Sequence, residues 1–173
     1  IEAATIQFGD GSGELVFNHT DTSGSFAFAP AVISGSGDSA ILVESGYTAL
    51  TGDVSGFTGT ASISGGTLEL DNAFGGSVTL SGSGGLSGTG TVAGDVTFGS
   101  DTTYLGPYLV TMDGTTDAQG LTITGNATLD GTLELAGDYA SIAGMGQVQV
   151  LEAGNTLTTV FTDVTEDSVF LDP

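Results

Sequence analysis

Short stretches in which apolar and polar residues alternate recur along most of the chain. Each stretch places two apolar side chains on one face of an extended strand, because successive side chains of a strand point to opposite faces. We therefore predict strands at Ala61–Ile63, Leu68–Leu70, Val78–Leu80, Val96–Phe98, Leu121–Ile123, Leu133–Leu135 and Val148–Val150. Gly, Asn, Asp and Ser, which favour turns, separate them. Helical periodicity is nearly absent, so the pattern predicts an all-β sandwich, barrel or solenoid.

A weak internal repeat favours the solenoid. The pentapeptide GTLEL occurs at Gly66–Leu70 and again at Gly131–Leu135, each time after a strand rich in Thr and Ser. We predict a right-handed parallel β-helix with three short strands per rung and about 20–25 residues per rung, as in solenoids generally. Each rung would bury its apolar face on the next. At about 4.8 Å per rung, seven to nine rungs would form a rod of roughly 33–43 Å.

The composition agrees with one folded domain. The 173 residues are 39% hydrophobic and include only three prolines, which argues against disorder. The 30 glycines suit the corners of a solenoid, because glycine adopts left-handed backbone angles without steric penalty.

Charge excludes two classes of partner. The chain has 21 Asp and Glu residues but no Lys or Arg. Phosphate binding requires basic side chains that displace counterions, so nucleic acid is excluded as a partner. Anionic membrane surfaces are excluded for the same reason.

Cysteine content, the length of apolar runs and the N-terminal stretch narrow the class of protein further. Cysteine is absent, so disulfides and thiolate–metal sites are excluded. No apolar run approaches the roughly 20 residues of a membrane span. The N-terminal stretch IEAATIQFGD lacks the basic region of a signal peptide, so if the protein is exported we expect this chain to be a trimmed fragment.

The order of several short motifs resembles one known family. Gly11–Leu70 contains the steps ISGSG, SGFTG and ISGGTL, and Gly85–Phe98 reads GLSGTGTVAGDVTF. These segments resemble the passenger domains of bacterial autotransporters, the pertactin-like proteins of type V secretion. The resemblance covers nearly the whole chain and implies the same parallel β-helix.

The last 70 residues resemble the autochaperone region of such passengers. An aromatic-led strand at Tyr108–Met112 is followed by an acidic loop, two similar rungs, a VLEAG strand at Val150–Gly154 and a closing segment at Phe161–Pro173. The resemblance implies β-helix rungs over 1–104 and a capping autochaperone segment over 105–173 within one continuous solenoid. We expect the apolar core of this cap to consist of Val150, Leu151, Val160, Phe161, Val164, Phe170 and Leu171.

The resemblance also implies a function and a location. The chain would be a rigid extracellular stalk and a folding seed during secretion, at the cell surface and attached to or released from the bacterial outer membrane. Its partner would be the C-terminal outer-membrane β-barrel of its own precursor, with possible host or bacterial surface molecules. The alternative is an adhesin segment that itself mediates self-association or surface binding.

Two departures from the family pattern matter. Family members usually carry scattered Lys and Arg. Their loss here fits adaptation to a saline environment, a secretion constraint such as resistance of the unfolded chain to trypsin-like proteases, or engineering. The segment DTTYLGP at Asp101–Pro107 lacks a family step, so we expect one irregular turn there.

Catalytic motifs are weak. His19 is the sole histidine and is expected to be bonded locally. Ser39 in GDSA lies in a poor match to a protease nucleophile motif, and no histidine follows it. Asp21 in DTSG lacks the second copy that an aspartic protease needs. We therefore expect no enzyme activity, no cofactor and no metal site.

Overall fold

Short extended segments dominate the computed structural model of the protein, which describes residues 4–9, 11–33, 38–112, 115–136 and 151–166. The described residues contain no helix, so the prediction of an all-β protein is confirmed. The strands are β1 (Thr5–Gln7), β2 (Glu14–Asn18), β3 (Phe26–Phe28), β4 (Ala31–Ile33), β5 (Ala40–Ser45), β6 (Tyr47–Leu50), β7 (Thr60–Ile63), β8 (Thr67–Leu70), β9 (Ala73–Phe74), β10 (Ser77–Leu80), β11 (Gly85–Ser87), β12 (Thr91–Val92), β13 (Val96–Thr97), β14 (Thr103–Met112), β15 (Thr115–Gln119), β16 (Leu121–Ile123), β17 (Ala127–Thr128), β18 (Thr132–Ala136), β19 (Leu151–Ala153), β20 (Leu157–Thr158) and β21 (Asp163–Glu166).

Three sheets take up most of these strands. The first sheet has the order β2-β5-β7-β10-β13-β17-β20, and the second has the order β3-β6-β8-β11-β14-β18-β21, with β15 attached to β14. The third sheet has the order β9-β12-β16-β19, while β1 and β4 form a separate pair. All of these pairings are parallel except β14 with β15.

The chain visits the three sheets in a fixed order. From β7 onward it passes through the first, second and third sheets in turn and then returns to the first, with β15 as the exception. Such parallel pairing with a long return is compatible with a β-helix or solenoid. The number of residues per turn is less regular than predicted. The paired residues Ala61 and Val78 are 17 positions apart, whereas Val96 and Ala127 are 31 apart.

The longer return that follows β13 contains a hairpin. β14 continues past its parallel neighbours and pairs antiparallel with β15, from Tyr108 opposite Gln119 to Met112 opposite Thr115. The register between β14 and β18 shifts between Leu105 and Tyr108. The irregular turn expected in this region therefore corresponds to a bulge followed by an excursion out of the parallel sheet.

Apolar side chains at equivalent positions of successive strands form continuous buried columns. In the first sheet the column consists of Ile41, Ala61, Val78, Val96 and Ala127, all no more than 1% exposed. In the second sheet the buried residues are Leu68, Leu86, Tyr104 and Leu133. Because each strand covers its neighbour's apolar side chain, the buried residues form one core that extends across the neighbouring strands of the sheets.

Most of the strands predicted from the sequence occur in the structure. Six of the seven predicted strands are present within the described residues, and each of their ends differs from the prediction by at most one residue. The seventh, Val148–Val150, lies outside the described residues. Both copies of GTLEL fall in the second sheet, as β8 and β18, so the repeat marks equivalent positions of the fold.

Candidate functional site

An aromatic cluster ties the last described turns to earlier ones. The rings of Phe98 and Phe161 meet edge to face with centroids 5.4 Å apart, and Phe98 meets Tyr104 edge to face at 6.0 Å. The Tyr104 and Phe161 rings are stacked at 5.9 Å with only 9° between their planes. Such pairs contribute about 0.5–1.5 kcal/mol beyond the burial of their area. The cluster joins residues 63 positions apart in the sequence.

Tyr104 also makes a buried polar contact. Its side chain is 0% exposed, and its phenol oxygen accepts a hydrogen bond from the backbone N–H of Leu121 at 3.0 Å. Leu121 begins β16, the first strand after the hairpin. The tyrosine therefore supplies an acceptor to the backbone at the point where the chain returns to the parallel sheets.

The corner before β18 depends on glycine. Gly131 has a φ of +73°, and a Cβ atom there would lie 2.3 Å from the carbonyl oxygen of Thr102. That carbonyl accepts the N–H of Thr132 at 2.9 Å, while the Gly131 carbonyl accepts the N–H of Thr162 at 2.8 Å. The backbones of three successive turns are thus in direct contact at this corner, which leaves no room for a side chain.

The predicted cap residues are only partly brought together. Leu151 and Phe161 are half-buried and pack against the core. Val160, in contrast, is 72% exposed and does not belong to the buried set. The backbone turns sharply just before it, where Thr159 has a φ of 64°. Val164 pairs with Leu133 in the second sheet, and its side chain, like Val150, Phe170 and Leu171, lies outside the described residues.

The residues considered for catalysis make local structural contacts. The Nε2 atom of His19 lies 2.9 Å from the hydroxyl of Thr48, and its ring packs against Phe26 at 4.4 Å. Ser39 is 2% exposed, and its hydroxyl has no hydrogen-bond partner among the described residues. A histidine engaged with Thr48 and a buried serine without a base do not form a nucleophile–base pair.

Asp21 belongs to a surface turn. Its carboxylate accepts hydrogen bonds from the hydroxyl and backbone N–H of Ser23 and from the hydroxyl of Ser25, at 2.6, 2.8 and 2.9 Å. The Ser23 hydroxyl, followed by its N–H, lowers the pKa of this carboxyl below its ordinary value. Asp53 repeats the arrangement with Ser55, which lowers the Asp53 pKa for the same reason.

The pKa of Glu69 moves in the other direction. It lies on β8 of the second sheet, where partial burial raises its pKa and the neighbouring carboxylate of Asp71 raises it further. A hydrogen bond from Tyr47 acts against both effects. The Tyr47 hydroxyl also lies 3.4 Å from that of the buried Ser87. Tyr47 thus links Glu69 and Ser87 across the strands β6, β8 and β11 of the second sheet.

No metal site is visible in the part of the chain that the structure describes, where no group of three or more His, Asp or Glu side chains could hold an ion. Within the same residues, no helix is long and apolar enough to cross a membrane.

Comparison with known proteins identified no relative. No protein-family model, no curated protein and no solved structure matched the chain.

Sequence analysis missed the importance of Tyr104. The position is occupied by leucine in the equivalent strands β8, β11 and β18, at Leu68, Leu86 and Leu133. The sequence does contain an indication of this role, because Tyr104 is aromatic at a repeat position that leucine occupies in the other strands. The equivalence of these positions follows only from the register of the strands.

Proposed function

We propose that the chain is a right-handed parallel β-helix that serves as a rigid extracellular stalk and a folding seed in an autotransporter-type passenger. The observation that supports the proposal is that the three sheets gain strands in the same order along the chain. In the described residues, each passage of the chain from β7 onward adds one parallel strand to each sheet. A chain built in this way lengthens with every turn and does not close on itself.

A stalk must keep its length under load. The seven parallel strands of the first sheet span six spacings of about 4.8 Å, or about 29 Å. Backbone hydrogen bonds run along this direction in every sheet, and the buried columns run parallel to them. Both kinds of contact resist bending, which suits a spacer that holds other modules away from a surface.

Folding by addition of turns supports the second part of the proposal. The exposed edge of an incomplete solenoid is unstable, while a new turn gains hydrogen bonds and burial as soon as it docks on a formed one. The aromatic cluster of Phe98, Tyr104 and Phe161 and the hydrogen bond to Leu121 all lie in the C-terminal half. Ring contacts such as that of Phe57 with Phe74 stabilise the N-terminal half as well. The proposal is that the C-terminal contacts form first and present an edge to the N-terminal turns.

Pulsed hydrogen exchange during refolding of the whole chain tests the order of folding. We expect protection of the Leu121 and Thr132 amides, which bond to Tyr104 and Thr102, before that of the Ala40 and Thr60 amides, which bond to Gly13 and Ser39. Earlier protection of Ala40 and Thr60, or simultaneous protection of all four, would contradict a C-terminal seed.

The proposal contains no catalytic step. His19 and Asp21 make local hydrogen bonds, while the buried Ser39 hydroxyl and His19 Nδ1 atom have no partner among the described residues. The role of the chain is assigned to its shape and stability.

A further inference from the structure

We propose that the outer face of the first sheet binds the same face of a second copy of the chain, so that two molecules lie side by side. The proposal depends on the register of the described strands and goes beyond the stalk and seed roles. The contact surface consists of five outward-facing side chains on β5, β7, β10, β13 and β17, namely Leu42, Ser62, Thr79, Thr97 and Thr128. We call this set the outer row.

The outer row is accessible from strand to strand. Thr79 and Thr97 are exposed, and the other three side chains are half-buried. Each residue lies directly opposite the next in parallel register, so the side chains repeat at the strand spacing of about 4.8 Å. Every member lies on a strand that has a described neighbour on both sides. The accessibility of the row therefore does not depend on the ends of the sheet.

The outer row is uncharged, although the chain has 21 Asp and Glu residues and no Lys or Arg. The outward-facing rows of the other two sheets contain carboxylates. Glu69 and Glu134 lie in the row of the second sheet, and Glu152 lies in that of the third. Two copies can therefore meet through the first sheet without placing the carboxylates of facing rows against each other.

Acidic residues border the outer row instead of interrupting it. Glu44, Asp95 and Asp130 each lie two residues along the chain from a member of the row. The carboxylate of Asp95 accepts hydrogen bonds from the backbone N–H and the side-chain amide of Asn126, at 2.7 and 3.0 Å. A centre depleted of charge within a polar rim is the usual anatomy of a protein interface.

The outer row is complementary to itself. A Ser or Thr hydroxyl both donates and accepts hydrogen bonds, so a row of hydroxyls can bond to an identical row, whereas a row of carboxylates cannot. The row of a second copy also has the same spacing of about 4.8 Å, so contact at one strand brings the remaining strands into contact. A two-fold axis along the row places each residue opposite its own counterpart, with Leu42 on Leu42 of the second copy. Such an interface closes as a dimer.

We expect this association to be weak and dependent on salt. The row is narrow, so the contact buries less than the roughly 1,600 Å² of a standard interface and belongs with transient contacts. Each copy has a net charge of −21, which opposes the approach of the two molecules. Between about 0.01 M and about 1 M NaCl the Debye length falls from about 30 Å to about 3 Å. Monomers are therefore expected at low salt, and dimers at high salt and millimolar protein.

Sedimentation equilibrium of the full 173-residue chain at millimolar protein over this salt range tests the proposal. Thr79→Glu and Thr79→Lys each place like charges opposite one another at the centre of the row, and Ala73→Glu, on the exposed outer face of β9 in the third sheet, is the control. At the lowest salt concentration at which the wild type is dimeric, Ala73→Glu should also be dimeric. Each Thr79 variant alone should be monomeric. An equimolar mixture of the two should recover the dimer, because the introduced carboxylate then faces the introduced ammonium group.

Recovery in the mixture also shows that both Thr79 variants are folded. A wild type that stays monomeric at every salt concentration would overturn the proposal, as would oligomers larger than a dimer or loss of the dimer in Ala73→Glu. A dimer of either Thr79 variant alone, or a mixture that stays monomeric, would overturn it as well. Hydrogen exchange measures the order of folding separately, so failure of the side-by-side dimer would leave the stalk and seed proposal standing.

Discussion

The phenol oxygen of Tyr104 lies 3.0 Å from the backbone nitrogen of Leu121, and this buried hydrogen bond joins β14 to the strand that follows the hairpin. The contact connects the buried residues of the second sheet with the backbone of β16. Because a buried N–H without an acceptor is costly, the identity of one side chain helps to fix where the parallel pattern resumes.

Tyr104→Phe should lower the free energy of unfolding by about 1–3 kcal/mol, the usual cost of leaving a buried donor unsatisfied. The ring stacking with Phe161 would be retained, so the loss reports the hydrogen bond. Urea unfolding followed by circular dichroism measures it. A variant as stable as the wild type would show that the Leu121 N–H finds another acceptor.

Phe161→Ala should destabilise the protein. Replacing a fully buried phenylalanine by alanine costs about 3–5 kcal/mol, and we expect a smaller loss here because Phe161 is half-buried. The adjacent Val160→Ala is a matched control, since Val160 is 72% exposed. Exposed substitutions of this kind usually change stability by about 0.5 kcal/mol or less. Equal effects of the two substitutions would contradict the placement of Phe161 in the aromatic cluster.

Gly131→Ala should be destabilising by at least about 1–2 kcal/mol, the cost of a left-handed backbone for a residue with a side chain. The close carbonyl of Thr102 adds a steric clash. Gly9→Ala is the control, because a Cβ at Gly9 would meet no atom within 4 Å. Thermal unfolding of both variants provides the comparison, and similar melting temperatures would mean that the corner relaxes freely.

Glu69→Gln should stabilise the protein at neutral pH. A raised pKa means that the folded state holds the proton more tightly than the unfolded state, so the stability contributed by Glu69 is present below the ordinary glutamate pKa of 4.5 and is lost as pH rises through the raised value. Glutamine stays neutral and avoids this loss. The effect should vanish at acidic pH, where Glu69 is protonated in both states.

The control for this experiment is Glu152→Gln, which removes one negative charge from an exposed position on β19. It separates relief of general repulsion from the local effect at Glu69. Melting temperatures of both variants across the acidic range provide the test. Equal gains for the two variants at neutral pH would indicate that the surroundings of Glu69 are unimportant.

Low salt should reduce the melting temperature of the wild type. The accessible surface of 8663 Å² carries 21 carboxylates, about 410 Å² for each. The mean spacing of about 20 Å exceeds the Debye length of about 8 Å at physiological salt but not that of about 30 Å at 0.01 M. Scanning calorimetry across this range is the measurement. A constant melting temperature would mean that self-repulsion is unimportant for this fold.

Local patterns in the sequence were enough to predict six strands of the parallel sheets, but they predicted neither the other strands nor the lengths of the turns between them. Alternation in TLEL at Thr67–Leu70 and Thr132–Leu135 identifies inward and outward positions because the period of a strand is two. The antiparallel pairing of β14 with β15 brings Tyr108–Met112 against Thr115–Gln119, and the alternation within Tyr108–Met112 alone does not specify that partner. The exposure of Val160 was missed because hydrophobicity does not report the backbone turn at Thr159.

The stacking of turns along one axis is tested most directly by electron–electron spin distances. The chain has no cysteine, so pairs of introduced cysteines can be labelled selectively at Val16, Ser62 and Thr158, which lie in one row of the first sheet. With strands about 4.8 Å apart, the account predicts about 19 Å between Ser62 and Thr158 and about 29 Å between Val16 and Thr158. Distances that do not increase in proportion to the number of intervening strands would contradict it.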